Sequence, residues 1–419
     1  MSQPIPPSAN ASGVNRIGFL EGLRGHLAVW VMLAHVGYFV GLSRFEMESM
    51  HPGKIAFFLS YFDLSGYDAV KLFMILSGFV IFYLWDKGRE QYGAYLIRRF
   101  LRLWPLFMVA VIAGFLVNNL YIDILQNNPW SHDFWIRRQL DGALVVQAHP
   151  FPYVLVDAAL LNGQVPGAIL RDAAVAFSPI SWCISTEWHF YLLVPLFYWL
   201  TRRPAGVGLL AGLVLTALAC ESKFTFWINP VHSFLPMQIH WFFTGLVCYL
   251  IYRSVLADGL TRGNGWKIGW LALFIILATT LHPREGLGLW LWLPVFYTLI
   301  MSALGRRSGL SRLVTAVFDN RVSRYLGQIS YSVYLLHWPL AILVARGLMS
   351  LSHPPSWGVS ELILVVGVTA LTLPVAHLTH RYVETPAMNW AKRLAGGFPK
   401  RGEGRSLQAT VAHAGELAS

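Results

Sequence analysis

The sequence predicts an all-α, polytopic membrane protein of about ten transmembrane helices with both termini in the cytoplasm. Three observations predict it. Of 419 residues, 55% are apolar and only 13% charged, where an ordinary soluble domain is about 25% charged. The apolar residues gather into ten runs, most of them near the roughly 20 residues that cross a hydrocarbon core. Lys and Arg alternate between the connections. With the N-terminus inside, 23 lie on the cytoplasmic flanks and 7 on the opposite side, and this asymmetry sets orientation.

The runs cover residues 20–42, 66–85, 102–122, 178–200, 204–220, 234–252, 268–282, 286–304, 326–350 and 360–382. The first follows Arg16, and the second ends before five basic residues between 87 and 102. Those residues open the third. The fourth and fifth meet at Arg202-Arg203, and the sixth and seventh flank three basic residues between 253 and 267. The eighth and ninth flank five between 306 and 324, and the tenth is followed by six from 381 onward. The fifth and seventh are short for a crossing. Residues 151–161 are too few to cross and read as a re-entrant or interfacial piece.

Residues 1–15, MSQPIPPSANASGVN, read as a disordered cytoplasmic tail. Residues 16–386 form the membrane domain, and 387–419 a cytoplasmic, largely disordered tail. No cleavable signal peptide or internal repeat is visible. Mean hydropathy is +0.51, and the net charge of +11 is spread over short clusters. That pattern suits a lipid bilayer and argues against a nucleic-acid partner. Cys183, Cys220 and Cys248 have neither disulfide nor zinc spacing, so no metal is expected.

Polar groups inside apolar runs are costly and mark candidate sites. In FLEGLRGHLAVWVMLAHVGYFV, residues 19–40, Arg24 and His35 stand eleven positions apart. At about 100° per residue they return to one helix face, separated by roughly 16 Å of axial rise. The topology sets Arg24 near the cytoplasmic edge and His35 near mid-membrane. Either Arg24 anchors the helix beside Glu21 and His35 only packs, or His35 is a general base or nucleophile. In SPISWCISTEWHFYLLVPLF, residues 178–197, Glu187 needs a partner, and a structural ion pair with Lys71 is one choice; His189 reads as packing. In LGQISYSVYLLHWPL, residues 326–340, Tyr331, Ser332, Tyr334 and His337 gather. Arg98, Arg99 and Arg102 in YLIRRFLRLWP read either as positive-inside anchors or as a phosphate clamp, since guanidinium forks suit phosphates. Ser77-Gly78 permits close helix approach, and Glu384 lies in HRYVETP, where Pro386 stops a helix.

These segments, in this order, resemble membrane acyltransferase family three in its stand-alone form. The carriers are Arg24-x10-His35, LFMILSGFVI, RRFLRLWP, SPISWCISTEWHFYLLVP, QIHWFFTGLVCYL, LGQISYSVYLLHWPL and HRYVETP. The resemblance implies a multi-pass enzyme of the bacterial inner membrane. It would move an acyl group, usually acetyl, from cytoplasmic acyl-CoA to a hydroxyl of an envelope or exported glycan or glycolipid. No tightly bound cofactor is implied, since acetyl-CoA is a substrate. Carried over residue by residue, Arg24, His35, Glu187 and His337 match catalytic positions. Arg24, Arg98, Arg99 and Arg102 match donor-binding ones. Tyr331, Ser332 and Tyr334, with Asp68 or Lys71, match substrate-side positions. The chain departs from the family at Lys71, where Asp is frequent, at Cys183-Ile184 for Ser-Leu, and at Thr385 for Arg or Lys. The rival from another class is a secondary transporter or a flippase for a glycan or lipid-linked substrate.

Overall fold

A computed structural model describes residues 18–40, 66–88, 90–130, 134–220, 233–263, 265–269, 271 and 287–398. Among them no strand occurs, and the architecture is a helical bundle. In chain order the helices are α1 (Gly18–Val36), α2 (Gly66–Lys87), α3 (Tyr92–Gln126), α4 (Phe134–Ala148), α5 (Pro150–Ala158), α6 (Ser181–Leu200) and α7 (Pro204–Ala219). Then follow α8 (Leu235–Asp258), α9 (Leu287–Ala303), α10 (Gly309–Phe318), α11 (Arg321–Met349), α12 (Trp357–Thr379) and α13 (Thr385–Ala395). Five described helical segments are long and apolar enough to cross a membrane: α2, α3, α8, α11 and Gly358–Ala395. The seventh expected run lies almost wholly outside the described residues, as does the N-terminal tail. Helix α3 begins ten residues before the run at 102–122, so the basic cluster is its first turns. Helix α13 extends through Ala395, past the boundary expected at 386.

Glycines fix how the central helices cross. A Cβ on Gly25 would lie 2.6 Å from the Gly327 backbone nitrogen, and one on Gly327 would lie 2.2 Å from Glu21 O. Helices α1 and α11 therefore touch backbone to backbone, as small residues permit between helices in lipid. Gly78 and Gly245 do the same for α2 and α8. Each glycine sits beside or near a candidate residue: Gly25 follows Arg24, and Gly78 follows Ser77.

The helix senses obey the expected alternation. Along α1 and α11, Gly25 meets Gly327 and His35 meets His337, a constant offset that makes the two parallel. Trp182–Tyr67 and Tyr198–Asp86 make α6 parallel to α2, and Gln238–Tyr67 and Tyr249–Asp86 do so for α8. In contrast, Tyr92–Leu192 and Phe100–Trp188 make α3 antiparallel to α6. Asp86 ties one end of the bundle together, accepting from Tyr198 and Tyr249 and pairing with Arg253 at 3.6 Å. At α5, Trp104 Nε1 donates to Ala158 O at 2.8 Å, and Ser185 Oγ donates to Leu160 O at 2.6 Å. The end of this segment is thus held against α3 and α6.

Candidate active site

The register of α1 against α2 decides the depth of each candidate. Arg24, the seventh residue of α1, shares a cleft with Ser77, the twelfth of the 22 residues of α2. A Cβ on Gly66, the first residue of α2, would lie 2.5 Å from the Cβ of Ala34. Arg24 therefore stands beside the middle of α2, and His35 beside its start. The expectation from sequence is relative to the bilayer, with Arg24 near the cytoplasmic edge and His35 near mid-membrane. The apolar run continues past the end of α1 as a 3-10 turn, Gly37–Val40.

A narrow cleft of about 50 Å³ opens around Arg24 between α1, α2, α6 and α11. Ser77, Glu187, Cys183, Tyr331 and Tyr334 line it beside the apolar Val70, Phe73, Met74 and Phe242. A second, smaller cleft of about 20 Å³ adjoins it through Arg24 and Ser77, and adds Arg99, Arg102 and Tyr191. Glu187 is the negative centre. It accepts from Ser77 Oγ at 2.9 Å and from the Tyr191 hydroxyl one turn on. Its partners are thus hydroxyls rather than Lys71. Arg24 lies in the field of Arg102, Glu187 and Arg99. Arg99 also covers the rings of Tyr191 and Tyr95 at 5.3 and 5.5 Å. Three guanidiniums thus line one small cleft, and planar forks of this kind match the geometry of phosphate oxygens.

The three arginines of RRFLR part company. Arg99 and Arg102 face the cleft, while Arg98 is nearly half exposed and pairs with Glu90. The Tyr331 hydroxyl donates to Leu103 O at 2.7 Å, fixing α11 to α3 at the cleft wall. The Tyr334 hydroxyl lies 2.7 Å from Cys183 Sγ and closes the far end. One turn beyond Tyr334, His337 Nε2 lies 3.2 Å from His35 Nδ1. The two histidines, distant in sequence, are therefore partners. Trp338 packs edge-on to His35 at 5.9 Å.

Other candidates stand apart from the cleft. Ser332 is fully buried and donates to Glu384, which His380 approaches at 3.4 Å. The turn carrying them, His380–Glu384, is a π-helix. Asp68 and Lys71 pair with each other at 3.4 Å, both buried, and Lys71 lies over the rings of Tyr67 and Trp241. His189 Nδ1 lies 2.8 Å from Ser185 O, as a packing histidine does. Sequence reading missed Tyr191 and undervalued Ser77. The available signal was Tyr191 at i,i+4 from Glu187, a spacing that brings side chains together on a helix.

Comparison with known proteins gives one family. A family profile described as "Acyltransferase domain" matches residues 17–381. Acyltransferase MdmB of Streptomyces mycarofaciens is 23% identical over 90% of this chain and 92% of its own length. BcsY of Komagataeibacter xylinus, whose assignment as a membrane-bound transacylase is provisional, is 22% identical over 96% of this chain and 91% of its own. Peptidoglycan O-acetyltransferase OatA of Listeria monocytogenes is 22% identical over 79% of this chain, which spans 53% of OatA's length. No solved structure matches.

Proposed function

Because this chain belongs to the acyltransferase domain family and is an acyltransferase, we propose that it moves an acetyl group from cytoplasmic acetyl-CoA to a hydroxyl of an envelope or exported glycan. The observation that carries this reading is the convergence of Arg24, Arg99 and Arg102 on one cleft, joined through Arg24 and Ser77 to a second that ends at Tyr334, one turn before the His337 that meets His35. We place the protein in the bacterial inner membrane, crossing it about ten times with both termini in the cytoplasm. The parallel and antiparallel helix senses support that topology, and the acetyltransferase name of OatA supports the acyl group and the acceptor class.

In this reading the coenzyme A phosphates bind Arg99 and Arg102 at the end of α3 nearer the cytoplasm. Arg24 continues the positive line to the middle of the bundle. The pantetheine arm runs along the mixed wall of Ser77, Phe73 and Tyr331 past Glu187. The thioester then reaches the far end at Tyr334. His35 removes the proton of the acceptor hydroxyl as that oxygen attacks the thioester carbonyl. The glycan approaches from the opposite side, near the start of α2. Glu187 keeps Ser77 and Tyr191 oriented at the donor arm. Asp68 and Lys71, beside the start of α2, lie on the acceptor side.

Mass spectrometry of envelope and secreted glycans tests the assignment, using the source strain with this gene deleted and complemented. Wild-type complementation restores O-acetylation and His35→Gln complementation, at equal membrane abundance, does not. A deletion strain with unchanged glycan acylation contradicts the proposal.

A further inference from the structure

The contacts of the two Nδ1 atoms point to one arrangement of their protons. A backbone carbonyl oxygen only accepts. His35 Nδ1 lies 2.8 Å from Val31 O, and His337 Nδ1 lies 3.1 Å from Val333 O. Each Nδ1 therefore carries hydrogen and donates to the carbonyl one turn back. In a neutral imidazole the other nitrogen is then the acceptor. His337 Nε2, 3.2 Å from His35 Nδ1, accepts from it, so the His35 Nδ1–H is shared between Val31 O and His337 Nε2. The opposite assignment has His337 Nε2–H donating. It sets the His35 Nδ1 lone pair against the lone pairs of Val31 O, which is repulsive.

We propose that His337 is a positioning residue that, with Val31 O, holds His35 in its Nδ1–H tautomer and makes Nε2 the reacting nitrogen. This rests on the reading of His35 as the base. In the transfer step the acceptor O–H bond breaks and its proton goes to His35 Nε2. The oxygen's electron pair forms the new C–O bond at the thioester carbonyl carbon. The C–S bond breaks, its pair leaves with the coenzyme A sulfur, and that thiolate takes the proton back from Nε2. The Nδ1–H bond is unchanged throughout, and the transient imidazolium keeps two acceptors on it. A carboxylate would orient the ring equally well but would bury a fixed negative charge, which is costly among apolar helices. A neutral histidine orients without that charge. The parallel register of α1 and α11, set where Gly25 meets Gly327, brings the two rings together.

The test combines spectroscopy with two substitutions. In purified protein labelled with 15N-histidine, the signals absent from His35→Gln report the His35 tautomer. The expected result is a protonated Nδ1 and a bare Nε2 in wild type. In His337→Leu the tautomer is no longer single, and O-acetyl content in the complemented strain falls about tenfold or more, the scale of losing an orienting partner. Acetyl-CoA binding stays within about threefold, which shows that the bundle is folded. His337→Gln, whose amide oxygen also accepts, restores most of the acylation. A wild-type Nε2–H tautomer overturns the proposal without any variant. So does a His337→Leu protein with an unchanged tautomer and full acylation. A fully acylating His35→Gln protein instead removes the base reading itself.

Discussion

Arg24 is the residue whose position carries the account. It is shared by both clefts, so a donor that runs from Arg99 and Arg102 toward Tyr334 must pass it. Arginine offers a planar, bidentate fork, and lysine a single point charge. Arg24→Lys is therefore expected to raise the donor KM about tenfold, the scale of one charged hydrogen bond of about 1.5 kcal/mol, with a smaller change in kcat. Steady-state kinetics over a range of acetyl-CoA concentrations checks this. His35→Gln is expected to do the opposite, leaving acetyl-CoA affinity in place while lowering turnover by about 10²–10⁴, the usual worth of a general base. Sequence reading found both residues, and the i,i+11 spacing put them on one face. It could not find the His35–His337 contact, because that contact depends on how α1 and α11 are placed side by side. It also grouped Arg98 with its neighbours. On the helix Arg98 turns out to Glu90 instead, since adjacent residues point about 100° apart.

At the scale of elements, the crossing of α1 with α11 is the joint that sets the site. Its tightness was legible only as a few glycines in apolar runs, which composition alone does not distinguish from ordinary membrane glycines. The structure gives them a reason: a methyl on Gly327 would meet Glu21 O at 2.2 Å. Gly327→Ala is expected to push the helices apart and destabilise the protein by about 1–3 kcal/mol, as overpacking does. It is also expected to weaken both donor binding and acylation, because Gly25 adjoins Arg24 and the His35–His337 contact depends on the same crossing. Thermal unfolding in detergent, together with acetyl-CoA titration, checks both halves. Boundaries were the least legible feature at this scale. Helix α3 starts ten residues before its apolar run because basic residues are good helix formers and extend the helix beyond the apolar stretch.

At the scale of the whole molecule, the alternating Lys/Arg flanks and the helix senses agree wherever the described residues allow comparison. Charge asymmetry carries helix sense in the sequence itself, so the relative directions of the described helices were the most legible level of the fold. The inward fold after α5 was less so. Asp157 ends up buried there with neither carboxylate oxygen hydrogen-bonded among the described residues, and burial pushes its carboxyl well above the usual range. The folded protein thus holds a proton that the unfolded chain releases at about pH 4. The stabilising contribution is complete below that pH and is lost as pH rises toward the folded value. The unfolding temperature is expected to be lower at about pH 8 than at about pH 5, with the difference reduced in Asp157→Asn. Across the whole bundle, the arginine cleft is proposed to receive an acyl-CoA donor. Calorimetric titration of acetyl-CoA into the purified protein tests it most directly, with Arg24→Ala, Arg99→Ala and Arg102→Ala alongside. Saturable binding that each substitution weakens about tenfold or more is the expected result; no binding, or binding indifferent to all three, overturns the assignment.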